Sequence, residues 1–239
     1  NLGHSVSVLL GNGDGTFQPA VDYPSAGDNE CVVIGDLNGD GWRDLVTTSY
    51  HTNLFSVFVG NGDGTFQVAV NRGVGDFVTG PTFGDFNADG RLDLAMARSF
   101  SATVGVFLGN GDGTFGAMAT YTACPPRTQA VTSGDVNGDG RLDLAATNFE
   151  SDNVSVLLGN GDGTFQAAAN YTTGDRPIGA AIGDLNGDGR PDLAVANEIS
   201  ANVSVLLGHG DGTFGEAVNY SADSDTETVA IGDLNGDGR

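Results

Sequence analysis

Residues 183–193 read Gly-Asp-Leu-Asn-Gly-Asp-Gly-Arg-Pro-Asp-Leu, an oxygen-rich loop between two apolar runs. Side-chain oxygens fall at loop positions 1, 3, 5 and 9, which are Asp184, Asn186, Asp188 and Asp192. Gly189 at position 6 permits a sharp turn that can aim the carbonyl of Arg190 inward. A hard divalent cation prefers such an all-oxygen shell, and the absence of His and Cys argues against zinc. The loop therefore predicts bound Ca²⁺ as the cofactor.

The same loop is repeated along the chain. Complete copies span residues 36–44, 85–93, 135–143 and 184–192, and a partial copy spans 233–239. The predicted side-chain ligands of the other copies are Asp36, Asn38, Asp40 and Asp44; Asp85, Asn87, Asp89 and Asp93; Asp135, Asn137, Asp139 and Asp143; and Asp233, Asn235 and Asp237. The sequence stops at Arg239, so the partial copy lacks its ninth-position Asp and its site is doubtful.

A second motif, Gly-Asp-Gly-Thr-Phe, follows the same period. It begins at residues 13, 62, 111, 161 and 210, and its copies, like the loops, lie 49 or 50 residues apart. Two independent markers with one period predict a single repeat domain over residues 1–239 rather than two unlike domains.

Charge restricts the partners that the sequence favours. The formal net charge is −22, and 19 of the 31 acidic residues lie in the loops (14) or in the second motif (five), so the charge is mostly attributed to ligands. With no Lys and only nine Arg, the chain lacks the positive clusters that bind nucleic acid or anionic membranes. No apolar run has the length of a membrane span, which predicts no membrane insertion. Open calcium loops fill at extracellular calcium levels, so a secreted or cell-surface protein is expected.

Each repeat is predicted to contain four strands. The first runs into the loop, as in Val32–Ile34 and Val229–Ile231, and the second leaves it with small side chains, as in Leu94–Ala97. The third alternates β-branched residues, and the fourth runs from the motif Phe toward a Tyr, as in Phe165 to Tyr171. The Asp-Gly between the third and fourth strands indicates a tight turn, with a second metal site as the weaker alternative. Four-stranded antiparallel units at this spacing predict an all-β propeller.

The pairing of Asp-x-Asn-x-Asp-Gly-x-x-Asp-Leu with Val-x-Val-Leu-Leu-Gly-Asn-Gly-Asp-Gly-Thr-Phe resembles the FG-GAP/VCBS repeat family over essentially the whole chain. That family is similar to the calcium-binding blades of integrin α-subunit propellers and of some fungal lectins. The resemblance implies that the Asp and Asn residues above bind Ca²⁺. It also implies main-chain carbonyl ligands from Trp42, Arg91, Arg141 and Arg190, and a seven-bladed ring if the natural chain continues.

Two other readings of the loop are disfavoured. An EF-hand would carry a bidentate Glu at position 12, where this chain has Thr47, Met96, Ala146 or Val195. An unliganded Asx turn is acceptable for one copy but less so for four.

Antiparallel strand order predicts that the loops and the Gly-Asp-Gly-Thr hairpins share one face. The connections on the opposite face vary from repeat to repeat, and variable loops on a rigid scaffold are where ligands usually bind. That face also receives four N-glycosylation sequons, at Asn153, Asn170, Asn202 and Asn219.

No catalytic constellation stands out, because His4, His51 and His209 are scattered and most Asp residues are assigned to calcium. The sequence therefore predicts a protein that is not an enzyme. Its expected function is adhesion or recognition, with a glycan or protein ligand, and the alternative is a self-assembling structural subunit of a surface array or fibre. Cys31 and Cys124 are expected as buried or free thiols rather than a bridge.

The ends of the sequence leave the repeat containing residues 1–24 without its second strand. Three explanations remain open: the natural chain continues into further repeats, the segment was trimmed from a five-bladed ring, or a neighbouring molecule donates the strand.

Overall fold

The computed structural model describes residues 4–49, 51–222 and 226–233, and within these residues it forms eighteen strands and no helix. The first sheet has two strands, β1 (Ser5–Val8) and β2 (Val21–Pro24). The second contains β3 (Asn29–Gly35), β4 (Asp44–Ser49), β5 (Leu54–Phe58) and β6 (Val70–Gly73). No helix in the described part of the chain is long and apolar enough to cross a membrane.

Three more four-stranded sheets follow in sequence order. One contains β7 (Val78–Gly84), β8 (Asp93–Arg98), β9 (Thr103–Gly109) and β10 (Phe115–Thr122). The next contains β11 (Thr128–Gly134), β12 (Asp143–Asn148), β13 (Asn153–Leu157) and β14 (Ala169–Thr172). The last contains β15 (Pro177–Gly183), β16 (Asp192–Asn197), β17 (Asn202–Leu206) and β18 (Val218–Ser221). Every pairing is antiparallel and sequential, which confirms the predicted propeller blades.

The first strand of each blade lies beside the first strand of the next. Thr82 Oγ1 lies 3.1 Å from Ser133 Oγ, and a Cβ at Gly80 would lie only 2.4 Å from the Cα of Ala130. The inner strands therefore approach one another closely around a common axis.

The cores lie between the sheets, where the second strands supply small and fully buried side chains. Leu94, Ala95, Met96 and Ala97 of β8 have no exposed surface. Aromatic rings fill the outer part of the same interfaces, as where Phe86 meets Phe165 edge to face at 5.6 Å. The prediction that small residues allow close packing of neighbouring sheets is confirmed.

The predicted continuous fourth strand is wrong for most repeats. After an isolated bridge between the motif Phe and a Gly, such as Phe165 with Gly159, the chain leaves the ladder and rejoins it four residues later as β14. Only β10 of the described strands runs unbroken from its Phe, with a register shift between Phe115 and Met118.

Residues 226–233 also differ from the prediction, because Val229–Ile231 forms no strand. In the other blades this segment pairs with the strand that follows the loop, and the described residues contain no such partner for the last repeat. The segment still packs on the fourth complete blade, since Ile231 Cγ2 lies 3.1 Å from the position of a Cβ on Gly183.

One interface departs from the repeat. Arg72 occupies the place that Tyr121 and Tyr171 take in later blades. Its guanidinium donates to the carbonyls of Phe115 at 2.6 Å and Gly116 at 2.5 Å, and it stacks 4.7 Å above the ring of Phe107.

Candidate functional site

The four complete loops each join the first two strands of a blade, and their last Asp begins the second strand. The carboxylate of Asp143 is fully buried, and it accepts hydrogen bonds from the backbone N–H groups of Val136 and Gly159 at 2.9 and 2.8 Å. Asp44, Asp93 and Asp192 make the equivalent pair of bonds. The ninth-position Asp therefore fastens the loop to the base of the neighbouring hairpin, a structural role that sequence reasoning did not assign.

The other loop oxygens are arranged by the turn itself. Asp184 accepts bonds from the backbone N–H groups of Gly187 and Gly189 at 2.7 and 2.8 Å, and these donors, Gly189 first, lower its pKa. Asn186 Oδ1 accepts from the N–H of Asp188 at 2.8 Å. The same turn recurs at Asp36, where the donors are Gly39 and Gly41. The loop shape is thus held by backbone donors.

The donor set fits a hard cation in chemical type, because every side chain is a carboxylate or amide. Burial raises the pKa of Asp93, and the negative charges of Asp89 and Asp85 raise it further. The same causes raise the pKa of Asp143, with Asp139 and Asp135 as the like charges. A bound divalent cation would offset this repulsion.

The predicted ligand side chains of each loop do not converge on one point in the structure. Within residues 4–49, 51–222 and 226–233, no group of three or more His, Cys, Asp or Glu side chains is placed to hold a metal ion. Asn235 and Asp237 lie outside the described residues, and Asp233 follows the non-strand segment. Calcium binding at the loops stays a prediction.

The Gly-Asp-Gly-Thr hairpins are tight turns, as predicted. Asp162 Oδ1 accepts from both the hydroxyl and the backbone N–H of Thr164, at 2.5 and 2.9 Å. The hydroxyl is the larger cause of the lowered pKa of Asp162. Gly161 and Gly163 take positive φ angles of 78° and 82°, which the turn requires.

Loops and hairpins share one face, which confirms the predicted arrangement. The side chain at position 7 of each complete loop packs against the first glycine of the hairpin in the same blade. A Cβ placed on Gly161, for example, would lie only 2.8 Å from Arg141 Cδ. Trp42, Arg91 and Arg190 lie in the same way on Gly62, Gly111 and Gly210.

At the opposite end of the inner strands lies an axial cavity of about 650 Å³, which sequence reasoning missed. All five repeats contribute to its wall, through Glu30, Thr79, Gln129, Gly179 and Glu227 among others. Partial desolvation at this wall raises the pKa of Glu30, and the nearby His51 and Arg127 side chains offset only part of that rise. No local motif marks the cavity, because each repeat gives it one or two residues.

Two grooves lie between the outer strands of neighbouring blades, with cavity volumes of about 450 and 420 Å³. The first is lined by Tyr171, Phe214, Glu216 and Asn219, and the second by their counterparts around Tyr121 and Phe165. In both, the Tyr and Phe rings meet edge to face, with centroids 5.4 and 5.3 Å apart. Asn170 lines both grooves. The grooves are therefore repeat-equivalent.

Both cysteines are free thiols and are partly buried, as the sequence predicted. The sequon side chains differ in their environment. Asn153 donates to the carbonyl of Ser151 at 2.9 Å, whereas Asn170 and Asn219 are exposed on their strands and accept bonds from Ser155 and Ser204.

A family sequence model matches this chain with the same repeat period as the blades. The FG-GAP-like repeat model matches five overlapping segments, at residues 1–47, 36–96, 85–146, 135–195 and 184–239. The chain belongs to the FG-GAP-like repeat family. No functionally curated protein matches this FG-GAP chain.

Several solved structures resemble the FG-GAP chain. A lectin from Agrocybe aegerita, described as recognising non-reducing terminal N-acetylglucosamine, is 25% identical over 91% of this chain and 60% of its own, with a TM-score of 0.63. A putative 6-phosphogluconolactonase from Bacteroides fragilis is 18% identical over 93% of this chain and 66% of its own, with a TM-score of 0.72. A periplasmic gluconolactonase from Pseudomonas aeruginosa is 19% identical over 94% and 65%, with a TM-score of 0.73. The FG-GAP chain thus spans less than two thirds of the length of each.

These likenesses correct one prediction. The sequence-based conclusion that the protein is not an enzyme is wrong as drawn, because solved structures with this fold are named as lactonases. It relied on the lack of a local catalytic motif, and a propeller can assemble a site from single residues of several blades. At 18% and 19% identity, the likeness shows the shared fold.

Proposed function

We propose that this FG-GAP propeller is a calcium-stabilised extracellular recognition module that binds glycans in the grooves between its blades. The observation that carries this function is the recurrence of one groove at two successive interfaces. Each groove combines a partly exposed Tyr ring, packed on a buried Phe, with amide and hydroxyl groups, and the first also has the Glu216 carboxylate. Aromatic surface and convergent hydrogen-bonding groups suit a sugar, which is apolar on one face and hydroxylated at its edge.

Two further points support the proposal. The Agrocybe aegerita lectin has this fold and is 25% identical. The loops, with their all-oxygen donors, suit the millimolar calcium found outside cells, so that calcium would rigidify the blades on which the grooves lie.

Titration calorimetry with N-acetylglucosamine, with and without chelator, tests this function. The grooves act separately, so Glu216→Ala and Gln166→Ala should each remove one class of sites, and the double variant should remove both. Glu150→Ala, an exposed change on another surface, is the control. A protein that binds no sugar on a broader glycan array in calcium contradicts the proposal.

The axial cavity supports a second candidate, hydrolysis of a sugar lactone. Its specific observation is the position of Glu30, a solvent-accessible carboxylate at the wall of a cavity that reaches all five repeats, where partial desolvation raises its pKa. Such a group suits a general base that activates water against the lactone carbonyl. Gluconolactone hydrolysis by the wild type that Glu30→Gln abolishes would support this candidate, and equal rates in both proteins would reject it.

A further inference from the structure

The tetrapeptide Asn-Gly-Asp-Gly occurs in two kinds of turn on the same face of the molecule. In the loops it begins at Asn38, Asn137 and Asn186, and in the hairpins it begins at Asn12, Asn61, Asn110 and Asn160. The blade of β11–β14 contains one copy of each kind. Because the same three residues follow the Asn in both copies, the folded structure decides whether the two Asn side chains react differently.

In the loop of this blade, the backbone N–H that follows the Asn is bound by a carboxylate. The Gly138 N–H donates to Asp135 Oδ1 at 2.7 Å. Asp139 holds both polar atoms of the Asn137 side chain, since its N–H donates to Asn137 Oδ1 at 3.0 Å and its Oδ2 accepts from Nδ2 at 3.1 Å. The equivalent backbone bonds join Gly39 to Asp36 and Gly187 to Asp184, at 2.8 and 2.7 Å.

In the hairpin of the same blade, the corresponding N–H has no such partner. The Gly161 N–H donates to no acceptor among the residues that the structure describes. Asn160 is exposed, and its side chain is held at one atom only, because Nδ2 donates to Thr164 Oγ1 at 2.9 Å. The other three hairpins repeat both features, with side-chain contacts of 2.8 or 2.9 Å at Asn12, Asn61 and Asn110.

An Asn that precedes Gly is open to deamidation, because Gly has no Cβ to hinder ring closure. The Gly nitrogen loses its proton, attacks Cγ of the Asn and forms a C–N bond. The side-chain nitrogen leaves as ammonia, carrying that proton, and a cyclic succinimide remains. Water then adds to one of the ring carbonyls and opens the ring to Asp or iso-Asp.

A carboxylate on the N–H opposes the first step of this reaction. The proton cannot leave without breaking a hydrogen bond to a charged group, and the nitrogen anion would lie beside a negative charge. We propose that the hairpin Asn residues are sites of spontaneous deamidation, whereas the Asn-Gly residues of the loops are protected. The sites are Asn12, Asn61, Asn110 and Asn160. The reaction requires neither calcium nor a sugar ligand.

Deamidation changes the hairpin in which it occurs. Thr164 Oγ1 accepts from Asn160 Nδ2 and donates to Asp162 Oδ1, so the hydroxyl joins the two side chains. The product carboxylate has no N–H to donate and adds a negative charge beside Asp162. The turn therefore loses a hydrogen bond and gains a repulsion. The last hairpin has His209 in place of the Asn and escapes this change.

Peptide mapping by mass spectrometry tests the inference. The 1–239 chain is kept folded in calcium at mildly alkaline pH, and deamidation of each Asn is followed by the mass increase that accompanies exchange of nitrogen for oxygen. Each rate is divided by the rate of the same residue in denaturant, which removes the effect of local sequence. The hairpin Asn residues should react about tenfold or more faster than the loop Asn residues, because only the loops must break a hydrogen bond to a charged group. Hairpin Asn residues that stay intact, or that react no faster than those of the loops, overturn the inference.

A second experiment tests the protecting carboxylate. Asp135→Ala and the wild type are compared in chelator, at a temperature at which circular dichroism shows both to be folded. In the variant, Asn137 should react about tenfold or more faster than in the wild type, because the Gly138 N–H has lost its acceptor. Asn186 should stay protected, as a sign that the change is local.

Glu150→Ala, an exposed change on another surface, is the control and should leave Asn137 protected. Continued protection of Asn137 in Asp135→Ala overturns the inference. Loss of that protection in the folded wild type on chelation also overturns it, because a bound metal rather than the hydrogen bond would then be the cause.

Discussion

The loop at residues 135–143 and the hairpin at residues 159–164 lie on the same face of the same blade, and both contain Asp and Gly. The environments of their Asp carboxylates nevertheless differ. In the loop, Asp143 is buried on two backbone donors and its pKa is raised by burial and by nearby carboxylates. In the hairpin, Asp162 is exposed, satisfied by Thr164, and has a lowered pKa. In the loops at residues 85–93 and 135–143, burial and the neighbouring carboxylates therefore distinguish the ninth-position Asp from the exposed Asp of a hairpin turn.

The largest expected effect comes from calcium itself. With a Kd of about 0.1 mM at about 1 mM calcium, mass action gives about 1.4 kcal/mol per loop, or about 6 kcal/mol for four loops. Calcium should therefore raise the melting temperature markedly, and chelator should reverse the effect. Titration calorimetry should find calcium sites at the loops and none at the hairpins. A melting temperature that is unchanged in excess chelator would show that the loops, like the hairpins, bind no stabilising calcium.

The next effect isolates the structural role of the ninth-position carboxylate. In chelator, Asp143→Ala should lower the free energy of unfolding by about 3 kcal/mol, because two buried backbone N–H groups lose their acceptor. Denaturant titration measures the change. A loss that appears only when calcium is present would mean that Asp143 acts as a ligand alone.

Asp162→Ala is the matched change in the hairpin and should have a smaller effect. It removes an exposed acceptor, and the donors of Thr164 can form hydrogen bonds with water instead. The melting temperature should therefore fall by less than half as much as in Asp143→Ala. The number of bound calcium ions should stay the same. Loss of one calcium ion in this variant would revive the second metal site that the sequence left as an alternative.

The smallest effect compares two loops. Ala88 has a φ of 58° where the other complete loops have glycine, as at Gly138 with a φ of 74°. Ala88→Gly should raise stability by about 0.5–1 kcal/mol, because relief of left-handed strain exceeds the added chain entropy. Gly138→Ala is the reverse change, and since no atom lies within 4 Å of its Cβ position, backbone strain alone should destabilise it. Thermal melts in chelator should move in opposite directions.

The sequence was sufficient for features that repeat locally. The spacing of the Asp loops and of the Gly-Asp-Gly-Thr turns predicted the blades, the shared face and the tight hairpins, because each depends on residues close in sequence. The second bond of Asp143 reaches Gly159, sixteen residues away, and so was not visible in the motif. The axial cavity combines residues such as Glu30 and Glu227 from distant repeats. The fourth strand was misassigned because its apolar composition does not show where the ladder breaks.

The blade interface that contains Arg72 differs from the other described interfaces. Blades that are nearly alike can dock in the wrong order during folding, and misassembly between similar units is a characteristic failure of repeat proteins. The Arg72 guanidinium donates to the carbonyls of Phe115 and Gly116 and stacks on the ring of Phe107. At any other interface its charge would meet a blade that lacks the unbroken β10 strand. One cation thus makes the interface between the blade of β3–β6 and the blade of β7–β10 chemically different from the other described interfaces.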